Sequence, residues 1–340
     1  MPSQSPSAGA RTMSIGGATF DLFVRTGIAS VPLKDGVTVP ELPLGGKIRV
    51  EEVIGTCGGG ASNTSVGLKR LGCNAGFCGV VASDQWGTSL LENLRKEGVD
   101  TSCITVIEGE TSSFSIILTV ENGERVILYD SGTNAHLHDV TFDREAVARA
   151  DWVYLNRIQE QSCVIEDDLL AMFVAEKSPH LTWNPGGCHI ETGMGGAQLT
   201  ALVSHCHLLL LNKEEALTFT KTKDTDTAFR QLLAAGAKRI CITDGGRGVL
   251  ATDGEHLYHC PPVAGATIVD TTGAGDAFGT GATWALLSGI DLPGALRAGT
   301  MNATSVIGAW GAQAGLLTDI EMRHRLSSTP LDVKTLPLPR

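Results

Sequence analysis

Several things are missing from this sequence. None of its nine cysteines (57, 73, 78, 103, 163, 188, 206, 241 and 260) stands in a Cys-x-x-Cys pair, and the number is odd. A disulfide framework and a structural zinc site are therefore not expected, and a reducing compartment is. No apolar run approaches the ~18 residues of a membrane span. Residues 1–11 are rich in Ser and Pro and have no apolar stretch of the kind a signal peptide needs. Positive charge is scarce, with 26 Lys and Arg against 37 Asp and Glu for a formal charge of −11. That balance argues against nucleic acid or an anionic membrane as the main partner. It leaves room for an anionic ligand held locally by backbone amides. The common glycine-rich phosphate loops, GxxxxGK followed by Ser or Thr and GxGxxG, do not occur, so P-loop and Rossmann readings have no support.

What is present is enough apolar material for a core. Hydrophobic residues make up 42% and charged residues 19% of 340, too apolar for disorder and long enough for one large domain and a small one. The 41 glycines are clustered rather than periodic, which excludes collagen-like repeats. Short β-type runs at 13–17, 75–81, 152–155, 181–184, 207–212 and 239–243 lack strict polar alternation, as strands buried on both faces do. Helical patterns at 62–71, 89–96, 164–175, 198–204 and 226–235 separate them. This alternation predicts an α/β fold, a doubly wound and mostly parallel sheet flanked by helices. Two segments break the rhythm. Runs at 114–120 and 125–129 join through Asn122-Gly123, a strong hairpin signal, and 21–54 holds β-branched runs without a convincing helix. The expected division is a flexible lead-in at 1–11 and a body of 12–20, 55–105 and 130–329. A small β-sheet of 21–54 and 106–129 and a proline-bearing tail at 330–340 complete it. We expect a soluble, cytoplasmic protein.

The most informative stretch is 270–281, Asp-Thr-Thr-Gly-Ala-Gly-Asp-Ala-Phe-Gly-Thr-Gly. Gly273 and Gly275 permit a tight turn. A helix is expected from about Asp276, and free amides at such a start bind anions. An acid there is expected to have a lowered pKa and stay ionised. Asp276 is then placed to accept a proton from a hydroxyl attacking a phosphoryl group while the amides neutralise the developing charge. A plain helix cap explains the same Asp equally well.

Three other motifs each have an ordinary reading beside a functional one. Gly58-Gly59-Gly60-Ala61-Ser62-Asn63 opens a helix and lets a ligand approach backbone, with Asn63 as donor and acceptor; an N-cap is the simpler account. Asn212 and Glu215 follow an apolar strand where open α/β sheets place ligands, and could hold the water shell of Mg²⁺; an acid-rich helix start accounts for them too. Thr243 to Gly248 is either a turn or the floor of a nucleotide site. His205-Cys206-His207 alternates across a strand, so it cannot form one metal site and is structural. Trp183 to Gly187 reads as strand and turn. Phe114, Ile116 and Leu118 share a face, to cover a substrate or to pack between two copies.

In order and spacing these motifs resemble the ribokinase-like, PfkB-type carbohydrate kinase family over most of 13–325. The stretches at 270–281 and 58–72 are similar to its two signatures. Ser14-Ile15-Gly16-Gly17 with Asp21 resembles its opening strand, and Gly132-Thr133-Asn134 resembles its Gly-Ala-Asn. The resemblance implies a kinase using ATP and Mg²⁺. Asp276 would be the catalytic base, and Gly273, Ala274 and Gly275 the anion hole. Asp21, Gly58, Gly59 and Asn63 would hold a hydroxylated substrate. Asn212 and Glu215 would position Mg²⁺ and phosphate, and Thr243, Gly245, Gly248 and Asn302 would flank the nucleotide. Asp270 and Thr272 match a monovalent-cation (K⁺) site. The small sheet would be a lid that excludes water, and its exposure is compatible with a homodimer.

Some positions depart from the pattern. Gly45-Gly46-Lys47 is separate from the 58–63 run, and Tyr154 to Ile158 puts Arg157 where ribokinases carry an acid, with Glu160 further on. Arg157 is either a carboxylate or phosphate ligand on the substrate side or a surface residue. The expected reaction is phosphorylation of a primary hydroxyl of a small unphosphorylated sugar. The alternatives are a nucleoside kinase on the same fold and a non-catalytic sugar or nucleotide sensor. The retained Asp276 counts against the sensor.

Overall fold

The computed structural model describes residues 9–32, 38–121, 125–137, 143–158, 166–173 and 178–338. Sixteen strands are described: β1 (Arg11–Ile15), β2 (Thr19–Thr26), β3 (Ser30–Pro32), β4 (Thr38–Pro40), β5 (Val50–Gly58), β6 (Asn74–Ala82), β7 (Asp100–Ile107), β8 (Phe114–Thr119), β9 (Arg125–Asp130), β10 (Trp152–Leu155), β11 (His180–Trp183), β12 (Leu208–Asn212), β13 (Ile240–Thr243), β14 (Val249–Thr252), β15 (Leu257–Cys260) and β16 (Lys334–Leu336). The helices are α1 (Gly60–Arg70), α2 (Gln85–Lys96), α3 (Arg144–Ala148), α4 (Glu166–Phe173), α5 (Cys188–Thr192), α6 (Ala197–His205), α7 (Lys213–Thr220), α8 (Thr225–Ala234), α9 (Ala274–Leu287), α10 (Leu292–Val306) and α11 (Asp319–Ser328).

Ten strands form one sheet in the order β16-β15-β14-β13-β12-β11-β10-β1-β6-β7. From β13 to β7 neighbours run parallel, and β14, β15 and β16 add an antiparallel edge. Chain order reverses at β1, the kind of switch point where open α/β sheets form their ligand crevice. Strand alternation builds two cores. Leu209 and Leu211 of β12 join one cluster with Phe219 and Phe229, while Leu208 and Leu210 join the other with Phe278 and Trp284. Within the second, α9 and α10 meet at glycines. A Cβ on Gly281 would stand 2.6 Å from the Ala298 carbonyl oxygen, so the helices need that gap. Seven described cysteines are free and Cys188 is disulfide-bonded, so the described cysteines include a bonded one without forming a disulfide framework.

A separate four-stranded sheet has the order β5-β2-β8-β9. It crosses the expected boundaries: β2 starts at Thr19, β5 runs on to Gly58, and 106–107 finish β7 in the large sheet. Arg11 opens β1, and 334–336 pair with β15 at the sheet edge, so neither end is wholly detached. The expected Asn122-Gly123 turn and Glu160 lie outside the described residues, although β8 and β9 pair antiparallel as a hairpin would. Of the two roles open to the Phe114, Ile116 and Leu118 face, covering a substrate beside Asp21 is not the one its orientation suits. Asp21 pairs with Ser115 and Phe23 with Ile117, and these buried residues form the inner face. Phe114, Ile116 and Leu118 point the other way, and Phe114 stacks near Trp86 with centroids 6.1 Å apart. His207 stacks on His180 at 4.0 Å and accepts from the Leu181 N–H, in keeping with a structural role. Among the described residues no helix is long and apolar enough to cross a membrane.

Candidate active site

Gly273 caps α9 in the left-handed conformation, φ 76°. A Cβ there would also press on Ala312, so conformation and close approach both demand glycine. The helix begins at Ala274, two residues earlier than expected, and Asp276 is its third residue. First-turn amides have no helical acceptor; that of Ala274 turns back to the Thr271 carbonyl at 3.3 Å. Nothing lies within 4 Å of a Cβ built on Gly275, so open space faces this turn.

Asp276 is half-buried, and Asn63 Nδ2 donates to its Oδ2 at 2.8 Å. Burial raises the Asp276 pKa from 3.8 to about 6; the Asn63 bond opposes the shift and the Glu215 charge adds to it. The expected lowering is therefore corrected, because desolvation outweighs the helix terminus. Asn63 is itself fixed. Gln313 Nε2 donates to its Oδ1 at 3.1 Å and to Ser62 Oγ at 3.0 Å, and Asn93 Nδ2 donates to Gln313 Oε1 at 2.8 Å. With Oδ1 engaged, the amide of Asn63 must aim its Nδ2 at Asp276. Gln313 escaped the sequence reading because its partners stand about 220 and 250 positions away, with no local signal.

The segment before α1 closes against β2. Gly59 has φ 89°, and a Cβ there would strike the backbone at Gly17 and Ala18. A Cβ on Gly58 would collide with the Asp21 carboxylate. Ser115 Oγ donates to Asp21 Oδ1. Burial raises the Asp21 pKa to about 6, against the Ser115 bond and aided by the charge of Asp270. Asp270 is held by Thr272, whose N–H and hydroxyl donate to Oδ1, and by Arg125 of β9. Phe23 meets Trp310 edge-on at 5.9 Å.

At the C-terminal end of β12, Asn212 and Glu215 form a capping box on α7. Asn212 Oδ1 accepts the Glu215 N–H at 2.9 Å, and Glu215 Oε2 accepts the Asn212 N–H at 2.8 Å. Burial raises the Glu215 pKa, and Arg157 opposes the rise. Arg157 follows β10 and lies over Gly186 and Gly187. Thr243 is the registered neighbour of Asn212. Gly245 has open space around it, whereas Gly248, φ 88°, is needed because a Cβ would strike the Cys260 carbonyl. Asn302, expected beside the nucleotide, lies within the body. It is fully buried, donates to the Ala277 carbonyl at 2.8 Å and accepts the Leu317 N–H at 3.0 Å. Its side chain ties α10 to α9 and does not face a ligand.

Asp276, Asn63 and Glu215 are thus brought together, with Asp21 and Asp270 grouped beside the small sheet. A base oriented by an amide, beside a helix start open to space, suits proton removal next to a bound anion.

Comparison with known proteins bears on the family and the fold. The model of the pfkB family carbohydrate kinases matches residues 37–319. A ribokinase of Bacillus subtilis is 28% identical over 284 residues, covering 82% of this chain and 92% of its own. The solved structure of Arabidopsis thaliana ribokinase complexed with ribose and ATP superposes with a TM-score of 0.77 at 19% identity, covering 94% of this chain and 100% of that one. A Burkholderia thailandensis nucleoside kinase in complex with inosine reaches 0.76 at 19%, covering 94% and 98%. The fold is ribokinase-like, and the chain belongs to the pfkB family of carbohydrate kinases, ATP-dependent phosphotransferases that act on hydroxyl groups.

Proposed function

We propose that the protein transfers the γ-phosphoryl group of ATP to a primary hydroxyl of a small unphosphorylated sugar, with Asp276 as general base. The observation that carries this reading is the Asn63–Asp276 bond at the open start of α9. Asp276, raised to about 6, is largely ionised near neutrality and still basic enough to take the hydroxyl proton. The amides around Gly275 would steady the charge on the phosphoryl group, as donors fixed before the reaction. Asp21 and Asn63 would hold substrate hydroxyls. Closure of the small sheet, the lid, would keep water from competing as acceptor.

Glu215 and Asn212 suit Mg²⁺ held mainly through water and phosphate, because hard oxygen donors stand there without a complete protein cage. Among the described residues no group of three or more His, Cys, Asp or Glu could hold a metal alone. When bound, the ion supplies neutralisation of phosphate charge.

One observation favours a nucleoside acceptor as the second reading. Tyr129 lies directly across from Ser115, hence on the face that carries Asp21, and is half-exposed. An aromatic ring beside the hydroxyl-binding carboxylate suits stacking on a base. The opposite face presents Val53 and Leu128, both half-exposed, and a second copy packed lid against lid is the assembly we propose. The deciding experiment is ATP consumption with a panel of sugars against adenosine, inosine and cytidine. Turnover with a sugar at low KM supports the first reading, turnover with nucleosides alone replaces it with the second, and none with either removes both.

A further inference from the structure

We propose that the guanidinium of Arg125 supplies the positive charge that the family resemblance assigns to a monovalent cation at Asp270, so that this kinase works without potassium. The inference rests on the kinase reading above. The Asp270 side chain is 1% exposed. Four donors meet its two oxygens. Arg125 Nη1 donates to Oδ1 at 2.6 Å, and Thr272 donates to the same oxygen through its N–H at 3.1 Å and its hydroxyl at 2.8 Å. The Gly311 N–H donates to Oδ2 at 3.2 Å. Arg125 Nη2 also donates to Thr271 Oγ1 at 3.0 Å, which fixes the plane of the guanidinium.

A buried carboxylate needs a counter-charge, and here the chain provides it. An alkali ion against Oδ1 would have to displace the guanidinium or share one carboxylate with it, at strong mutual repulsion in a site of low dielectric. The residues present therefore do not fit a monovalent cation at Asp270. The origin of the charge matters as much as its presence. Arg125 opens β9, opposite Thr119 of β8, so it belongs to the small sheet. Asp270 stands three residues before Gly273. The pair bridges the lid and the glycine turn, and the charge reaches the turn only while the lid lies over the body. A diffusible ion would not carry that condition.

The test compares initial rates in potassium chloride and in tetramethylammonium chloride at equal ionic strength. Thermal unfolding midpoints in the same two salts, without substrates, give a second readout. For the wild type we expect rates within about twofold and equal midpoints. Arg125→Ala should lose roughly tenfold or more in rate in tetramethylammonium. Potassium should restore part of that loss and raise the variant's midpoint, while Arg125→Lys should keep cation independence. A wild-type rate or midpoint that rises specifically with potassium overturns the proposal. So does an Arg125→Ala variant that is unimpaired without potassium, or one that potassium does not restore. If that variant does not fold, the wild-type salt comparison decides alone. If no acceptor is turned over in either salt, the kinase reading has failed, and the wild-type midpoints still judge Arg125.

Discussion

Asp276 in the body and Asp21 on the small sheet are both raised to about 6, and burial is the main cause for each. They differ in what holds them. Asp276 receives an amide that is locked by Gln313, in the turn between α10 and α11, and through it by Asn93 of α2. Asp21 receives one hydroxyl from the neighbouring strand, and its position depends on the β2–β8 register. The first carboxylate is placed by packing within the body, the second by the register of the small sheet. Similar pKa values therefore arise in different settings, and under the proposed function the first group would stand still for chemistry while the second would meet the substrate.

Substitutions can separate the two. The largest effect is expected from Asp276→Asn, with kcat down about 10²–10⁴-fold and ligand binding retained. Steady-state kinetics with a binding assay reads this, and near-normal turnover would remove Asp276 from its role. Asp21→Asn should act mainly on KM, raising it by about tenfold or more while kcat moves less; an equal fall in kcat would make the two sites alike. Gln313→Leu comes next. Loss of its grip on Asn63 should weaken the bond that lowers the Asp276 pKa, so the acid limb of kcat/KM shifts to higher pH. An unmoved limb would show that Asn63 needs no support.

Smaller effects concern stability. A carboxyl whose pKa is higher in the folded state holds its proton more tightly there. Its contribution favours folding below the unfolded value, near 3.8 for Asp21, and is lost as pH rises through about 6. Asp21→Asn should therefore be more stable than wild type at pH 8, on the order of 2 kcal/mol, with the gap closing below pH ~4. Denaturant unfolding at both pH values checks this. The smallest effect belongs to the turn. Gly275→Ala has room and should change stability by less than about 1 kcal/mol, whereas Gly273→Ala must destabilise.

Much of the body was legible because its signals are local. A strand reads as a buried run, and the glycines at 58–60 and 273–275 mark turns before helices whatever the rest of the chain does. Long-range relations were not legible. Gln313 reaches Asn63 and Arg125 reaches Asp270 only after the sheet is assembled. The inner face of the small sheet depends on a register between β2 and β8 that no turn between them fixes, and the alternation of 114–118 suits either choice. The Asp276 shift was misread for a related reason: a helix terminus shows in sequence, but the depth at which it is buried does not.

The pairing of β2 with β8 is parallel, and about ninety residues separate them along the chain. No hairpin can zip such strands together, so the large sheet must first bring 19 and 114 within reach, after a loop-closure cost. The small sheet is consequently a late structure, assembled on a scaffold that must already exist and undone ahead of it. Amide hydrogen exchange should find its strands opening well below the global unfolding free energy. A segment cut out to contain only this sheet would have no reason to fold.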